Sequence, residues 1–194
     1  MIEVERKREI GEDAEKIKAR LTELGFEEAE TATETDTYYS RPDVDFLETV
    51  ECLRVRRRPG SAEVTYKPAS TTATRTADGV IAKKETNLAL PGAEHAADAE
   101  ALLEAIGMVP LARVDKTRTS YRHPGRSGAT VSVDAVAGAG VFAEAEVIGG
   151  DAEAAAELMA EVERETGLDA YPVVVLPYRD LVLAAGVSAS DGSV

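Results

Sequence analysis

Acidic and basic side chains recur two residues apart in this chain, inside segments that otherwise read as strands. Glu3, Glu5 and Lys7 fall on one face of the first segment, because side chains on a strand point alternately to opposite sides. Arg54 and Arg56 share a face of LRVRRR, Lys116 and Arg118 share one in DKTRT, and Lys83 pairs with Glu85. Asp134 alternates with Val131 and Val133, and Glu144 and Glu146 alternate with Val141, Ala143, Ala145 and Val147. Carboxylates at this spacing suit a hard cation such as Mg²⁺ or Mn²⁺, which takes oxygen ligands and keeps several waters. Paired Arg and Lys suit phosphate oxygens, Arg as a planar fork and Lys as a point charge. A site with both can hold a metal–polyphosphate complex and neutralise charge building on a leaving group. Alternation alone describes a solvent face as well as the wall of an enclosed tunnel. The sorting of signs, acids on some strands and bases on others, points beyond an ordinary surface, which mixes signs to avoid like-charge neighbours.

The elements that would carry these residues follow from periodicity and punctuation. Ile2–Glu9 alternates as a strand, and Ile17, Leu21 and Leu24 give the next segment helical spacing up to Gly25. Residues 26–40 read as extended and 41–49 as a loop. A hairpin turns at Pro59-Gly60, a mobile loop spans 69–80, and a short strand follows over 83–90. A second helix over 94–106 precedes a strand over 109–121, then two more strands, TVSVDAV and VFAEAEVI, around Gly138 and Gly140. A third helix covers 151–166, a short one covers 178–185, and residues 187–194 read as a disordered tail. Each half repeats one order: a helix ending in Gly, an extended segment near a tyrosine, and a hairpin. The order predicts an α+β fold with a mainly antiparallel sheet, possible to close on itself.

Composition narrows the function classes. With 194 residues, 44% of them hydrophobic, the chain suffices for one domain with a real core, filled by aliphatics because Trp is absent and Phe numbers three. The net charge of -14 argues against nucleic-acid binding, which needs a basic face. No apolar run reaches the roughly 18 residues of a membrane span, and MIEVERKREI is charged from its third residue, unlike a secretory signal. The single cysteine, Cys52, excludes an internal disulfide framework. The expectation is a cytoplasmic protein. No G-x-x-x-x-G-K-[ST], GxSxG or HExxH occurs, which sets aside P-loop, serine-hydrolase and zinc-protease readings.

Taken in order, these motifs resemble the CYTH or triphosphate tunnel metalloenzyme family. The likeness rests on E-x-E-x-K at Glu3-Val4-Glu5-Arg6-Lys7, DTYY, LRVR, TYK ending at Lys67, KxR at Lys116 and Arg118, VDAVAGAGVFAEAE, and PYRDL. It covers the chain to about residue 186, as a single domain. The resemblance implies an eight-stranded antiparallel β-barrel forming a triphosphate tunnel, with helices packed outside and the charged faces turned inward. It implies Glu3, Glu5, Asp134, Glu144 and Glu146 as ligands of Mg²⁺ or Mn²⁺. It implies Lys7, Arg54, Arg56, Lys67, Lys83, Lys116 and Arg118 on the phosphates, with Glu5, Lys7 and Glu144 catalytic. Asn87 stands where many members carry an acid, and Ala139 where a leucine is usual. Three functions fit: a class IV adenylyl cyclase making cyclic AMP and pyrophosphate from ATP, a triphosphatase acting on tripolyphosphate, thiamine triphosphate or a nucleotide, and a non-catalytic phosphate-binding module. The cyclase is favoured by the FAE segment and PYRDL, and five acids exceed what plain anion binding needs. The expected partner is thus a triphosphate-bearing small molecule, with neither nucleic acid nor membrane. Homodimers are common among such barrels, although no apolar stripe in the sequence compels one here.

Overall fold

The computed structural model describes residues 2–69, 81–83 and 85–186, the side chains of Ile2 and residues 81–83 excepted. The expected loop tip at 70–80 and tail at 187–194 lie outside the described residues. The elements are β1 (Ile2–Glu9), α1 (Ala14–Glu23), β2 (Glu27–Ser40), β3 (Cys52–Arg58), β4 (Ser61–Lys67), β5 (Ile81–Lys83), β6 (Thr86–Leu90), α2 (His95–Ala105), β7 (Val109–Arg122), β8 (Ala129–Val136), β9 (Gly140–Gly149), α3 (Ala152–Thr166) and α4 (Tyr178–Ala184).

All strand pairs are antiparallel, in the order β5-β1-β9-β8-β7-β2-β3-β4-β6. β5 and β6 stand at opposite ends of that order, yet three peptide steps connect Lys83 to Thr86. Those ends are therefore no more than about 11 Å apart there. Lys67 of β4 also reaches Glu3 of β1, 3.8 Å away. The sheet thus curls until its ends meet, and β5 with β6 acts as one strand shared between β1 and β4. Counted so, the sheet has the eight antiparallel strands that the resemblance implied.

The two look-alike halves of the sequence join in the middle of this order. β2 of the first half pairs with β7 of the second along almost their whole lengths, Glu27 opposite Arg122 and Ser40 opposite Val109. The outer strands cross over: β1 pairs with β9 and β6 with β4. Each half therefore closes the other's sheet, and neither could form the curl alone.

The hydrophobic core lies outside the curl. Val4, Val131, Val133, Ala143, Ala145 and Val147 point outward against Ile17 and Leu21 of α1 and Met159 and Val162 of α3. A smaller cluster packs Tyr39, Val55 and Ala62 under Ala96, Ala99 and Leu103 of α2. Helical spacing explains both, since Ile17 with Leu21 and Ala99 with Leu103 are one turn apart. The other strand face is left for polar groups. At one end of the curl the interior becomes apolar: Tyr38, Val114, Val136 and Phe142 receive Tyr178 and Val182 of α4 as a plug.

Local signals explain the boundaries. Pro59-Gly60 forms the two-residue turn between Arg58 and Ser61, with Gly60 at φ +77. Asp151 caps α3 by accepting from the Ala154 amide at 2.9 Å, and Gly167 ends it in the left-handed region. One feature departs from expectation: Leu102 of α2 and Ile106 just past its end are exposed, a turn apart, beside exposed Val109. No helix among the described residues is long and apolar enough to cross a membrane.

Candidate active site

The inner wall of the curl encloses a cavity of about 260 Å³. Its lining brings together Glu3, Glu5 and Lys7 from β1, Arg54 and Arg56 from β3, Lys67 from β4, Lys116 and Arg118 from β7, and Glu144 and Glu146 from β9. A second cavity, about 210 Å³, shares Arg58, Arg118 and Glu146 with the first and adds Ser120, Arg122, Thr130 and Ser132. The interior therefore runs from the plug end, through a charged middle, to a mouth of hydroxyl and charged groups. The Lys83 side chain lies outside the described residues, though its backbone pairs with Glu3. Asp134 does not line either cavity. It is fully buried behind Arg118.

Most interior cations already have partners, and the principal partners escaped the sequence reading. Asp36 of β2 faces Arg56 directly across the sheet and takes it bidentately, at 2.6 and 2.7 Å. Glu34 accepts from Arg58 at 2.6 Å and pairs with Lys116 at 3.2 Å and with Arg56 at 3.3 Å. Burial opposes charge on Asp36, but Arg56 and Arg54 outweigh it and hold the carboxyl far below the usual range. Glu34 is held low in the same way, against burial, by Arg56 and Lys116. A local signal exists: Glu34, Asp36 and Tyr38 alternate in TETDTYY with the same period of two as Glu3, Glu5 and Lys7. Arg56, expected as a phosphate ligand, is thus pinned in the wall by two acids and 4% exposed.

A second network centres on Asp134. Arg118 donates to it twice, at 2.7 and 2.5 Å, and also to Glu144. The Tyr178 hydroxyl donates to Asp134 at 2.8 Å. Burial would raise Glu144, but Arg118, Lys7 and Lys116 bring it down to about 2. Burial pushes Lys116 down to about 8, helped by Arg118 and Arg56. Lys7 is also lowered by burial, partly offset by Glu144 and Glu5, and donates to the Leu176 carbonyl at 2.7 Å. Residues 172–176 reach that position by pairing with β1: Val174 N donates to Lys7 O at 2.9 Å and Glu9 N to Pro172 O at 3.1 Å.

The remaining acids gather at the β1–β9 seam. Glu5 sits directly opposite Glu146, an arrangement that costs stability when both are charged. Burial lifts Glu3 to about 8, with Lys67 opposing and Glu85, Glu5 and Glu146 adding to the rise. Glu146 is raised by burial and then by Glu5 and Glu144. Lys67 answers part of this charge through Glu85 and Glu3. Among the described residues no three acids are yet gathered closely enough to hold a metal ion. The donor set nevertheless fits a hard divalent cation in kind, because carboxylates that repel and resist ionisation are what such an ion relieves.

Two residues of the C-terminal PYRDL motif, Tyr178 and Arg179, also belong to the site, although the sequence pattern implied no site role for them. Arg179, 1% exposed, donates to the Glu51 carbonyl at 2.7 Å and the Phe46 carbonyl at 3.2 Å. It ties α4 to loop 41–51, whose last residues, Val50 and Glu51, line the cavity.

Comparison with known proteins agrees with this architecture. A Methanocaldococcus jannaschii protein named a putative adenylate cyclase is 31% identical over 147 residues, 75% of this chain and 77% of its own. A Pyrococcus horikoshii structure superposes with a TM-score of 0.76 at 25% identity, covering 94% of this chain and 98% of its own. A Hippeastrum structure, described as a putative adenylyl cyclase with a dominant triphosphatase activity, gives a TM-score of 0.66 at 16% identity over 96% of both chains. The sequence pattern of the CYTH domain matches residues 1–171. With its charged residues turned into a curled antiparallel sheet, the chain belongs to the CYTH domain family.

Proposed function

We infer that the protein is a divalent-metal-dependent enzyme acting on a triphosphate held inside the curl, with ATP cyclisation to cyclic AMP and pyrophosphate as the first reading. The observation that carries it is the meeting of Lys7, Arg54, Lys67, Lys116 and Arg118 with Glu3, Glu5, Glu144 and Glu146 around one cavity. Lysines and arginines from four strands can grip successive phosphates, which fixes the chain of phosphorus atoms along the tunnel. Glu3, Glu5 and Glu146, with Glu144 beside them, would hold the metal. Bound there, a divalent cation supplies charge neutralisation on the phosphates and lowers the pKa of an attacking hydroxyl. Arg118 and Lys7, which both line the cavity, would answer the negative charge that develops on the leaving pyrophosphate. In cyclisation the ribose 3′-oxygen bonds to the α-phosphorus as its bond to the bridging oxygen breaks, and the hydroxyl proton passes to solvent or a carboxylate.

The Methanocaldococcus relative's name supports the cyclase reading. A triphosphatase is the second reading, supported by the description of the Hippeastrum protein. There, water would attack a terminal phosphorus in the same grip. The net charge of -14 supports a small-molecule partner rather than nucleic acid. Incubating the purified protein with Mg²⁺ or Mn²⁺ and ATP, then resolving the products, tests these readings. Cyclic AMP with equimolar pyrophosphate supports the cyclase. Phosphate released from ATP or tripolyphosphate moves the assignment to triphosphatase, and no turnover of any triphosphate removes the enzymatic reading.

A further inference from the structure

Tyr178 is an uncharged residue of the wall whose ring meets two cations of the phosphate grip. Its ring lies 4.1 Å from the Lys7 ammonium and 5.0 Å from the Lys116 ammonium, measured to the ring centroid. Phe142 packs against the same ring at 5.3 Å, tilted by 59°, and Val182 one turn further along α4 is buried in the same cluster. The hydroxyl donates to Asp134, which in turn receives both arms of Arg118. A single side chain from the C-terminal helix therefore meets cations delivered by β1 and β7.

We propose that Tyr178 is a positioning residue of the phosphate grip, its ring holding Lys7 and Lys116 and its hydroxyl aiming Arg118 through Asp134. The proposal rests on the triphosphate reading of the cavity. Its physical logic lies in the kind of partner. Arg54, Arg56 and Arg58 are held by carboxylates, and each such bond must loosen before a phosphate can take the full charge. Lys7 is held by neutral groups instead, a carbonyl and an aromatic face. An aromatic face attracts an ammonium through its quadrupole without neutralising it. Tyr178 thus steadies Lys7 without a carboxylate salt bridge to displace, and its ring also meets Lys116, which Glu34 pairs from the other strand at 3.2 Å. Preorganised cations of this sort cost no rearrangement when the anion arrives.

The test is a series at position 178 read by calorimetric binding of tripolyphosphate in Mg²⁺, with thermal unfolding as the control for folding. Tyr178→Phe keeps the ring and loses the Asp134 bond, so about a threefold weakening is expected. Tyr178→Met, close in bulk and without a ring, should weaken binding by about tenfold. Fluorinated phenylalanines at 178 drain the ring face with almost no change of shape, and so keep the test decisive even if the Met variant fails to fold. Binding should weaken stepwise with each fluorine while the melting temperature stays constant, a pattern that packing alone does not produce. A flat fluorine series, or equal losses in Phe and Met, overturns the role of the ring. Failure of the wild-type protein to bind tripolyphosphate overturns the triphosphate reading itself, and this proposal with it.

Discussion

At the scale of single residues, the interior separates acids that are already satisfied from acids that are not. Asp36, Glu34 and Asp134 each accept from an arginine or lysine and shape the wall. Glu3, Glu5 and Glu146 crowd one seam, where burial and neighbouring acids raise the cost of ionising Glu3 and Glu146. The second group is therefore the one assigned to a cation, and Glu5→Gln is expected to lower metal-dependent turnover by at least about a hundredfold. Equal turnover in the variant and wild type would remove Glu5 from the site. Arg56 behaves differently. Reading the sequence alone, Arg56→Ala would weaken substrate binding. The structure adds a larger effect, since the variant strands Asp36 and Glu34 as buried acids with lost partners. Urea unfolding should show a loss of about 3 kcal/mol or more, and a loss below about 1 kcal/mol would show that the pairing is dispensable.

At the scale of elements, the closing segment after α3 joins parts of the wall that lie far apart in sequence. Residues 172–176 pair with β1, α4 plugs the apolar end, and Arg179 clamps loop 41–51 through two carbonyls. Replacing Arg179 by Leu leaves those carbonyls and Asp180 without their donor. The expected loss is about 2–4 kcal/mol in chemical denaturation, with faster proteolysis inside 41–51 than elsewhere. Unchanged protease resistance of that loop would show that α4 does not hold it. Asp151→Ala offers a smaller, cleaner change at the start of α3, worth about 1 kcal/mol through one lost cap. Its melting curve should shift without affecting tripolyphosphate affinity.

For the molecule as a whole, the two classes of acid predict a stability maximum on the acid side of neutral in the absence of metal. Asp36, Glu34 and Glu144 have depressed folded-state values. Their contribution is complete above the ordinary carboxylate range and is lost as pH falls below about 4. Glu3 has the opposite sign. Its folded value of about 8 exceeds the unfolded one, so the folded state binds the extra proton between about 4.5 and 8. Stability should therefore rise as pH falls from 8.5 to about 5.5, then drop below 4. Glu3→Gln should flatten the first limb and leave the second. Millimolar Mg²⁺ should raise stability most at pH 8.5, where the crowded carboxylates are charged, and EDTA should reverse it. A stability profile without a slope between pH 8.5 and 5.5 would show that Glu3 is not held in its acid form.

Strand alternation, helix spacing and the Gly and Pro breaks were legible along the chain, because each depends on neighbours within a few residues. Hence Glu3, Glu5, Lys7, Arg54, Lys116, Arg118, Glu144 and Glu146 could be named as a set, along with the helices that cover their outer faces. Alternation says which residues share a face and cannot say which face is enclosed. That was decided by closure, with β2 meeting β7 and β4 meeting β1 across long stretches of sequence. Closure also decided that Asp134 sits behind Arg118, that Glu34 and Asp36 occupy the arginines, and that Tyr178 from the far end of the chain lies against Lys7. These are contacts between residues tens to hundreds of positions apart, so no local pattern encodes them; they exist only once the two halves have wrapped around each other.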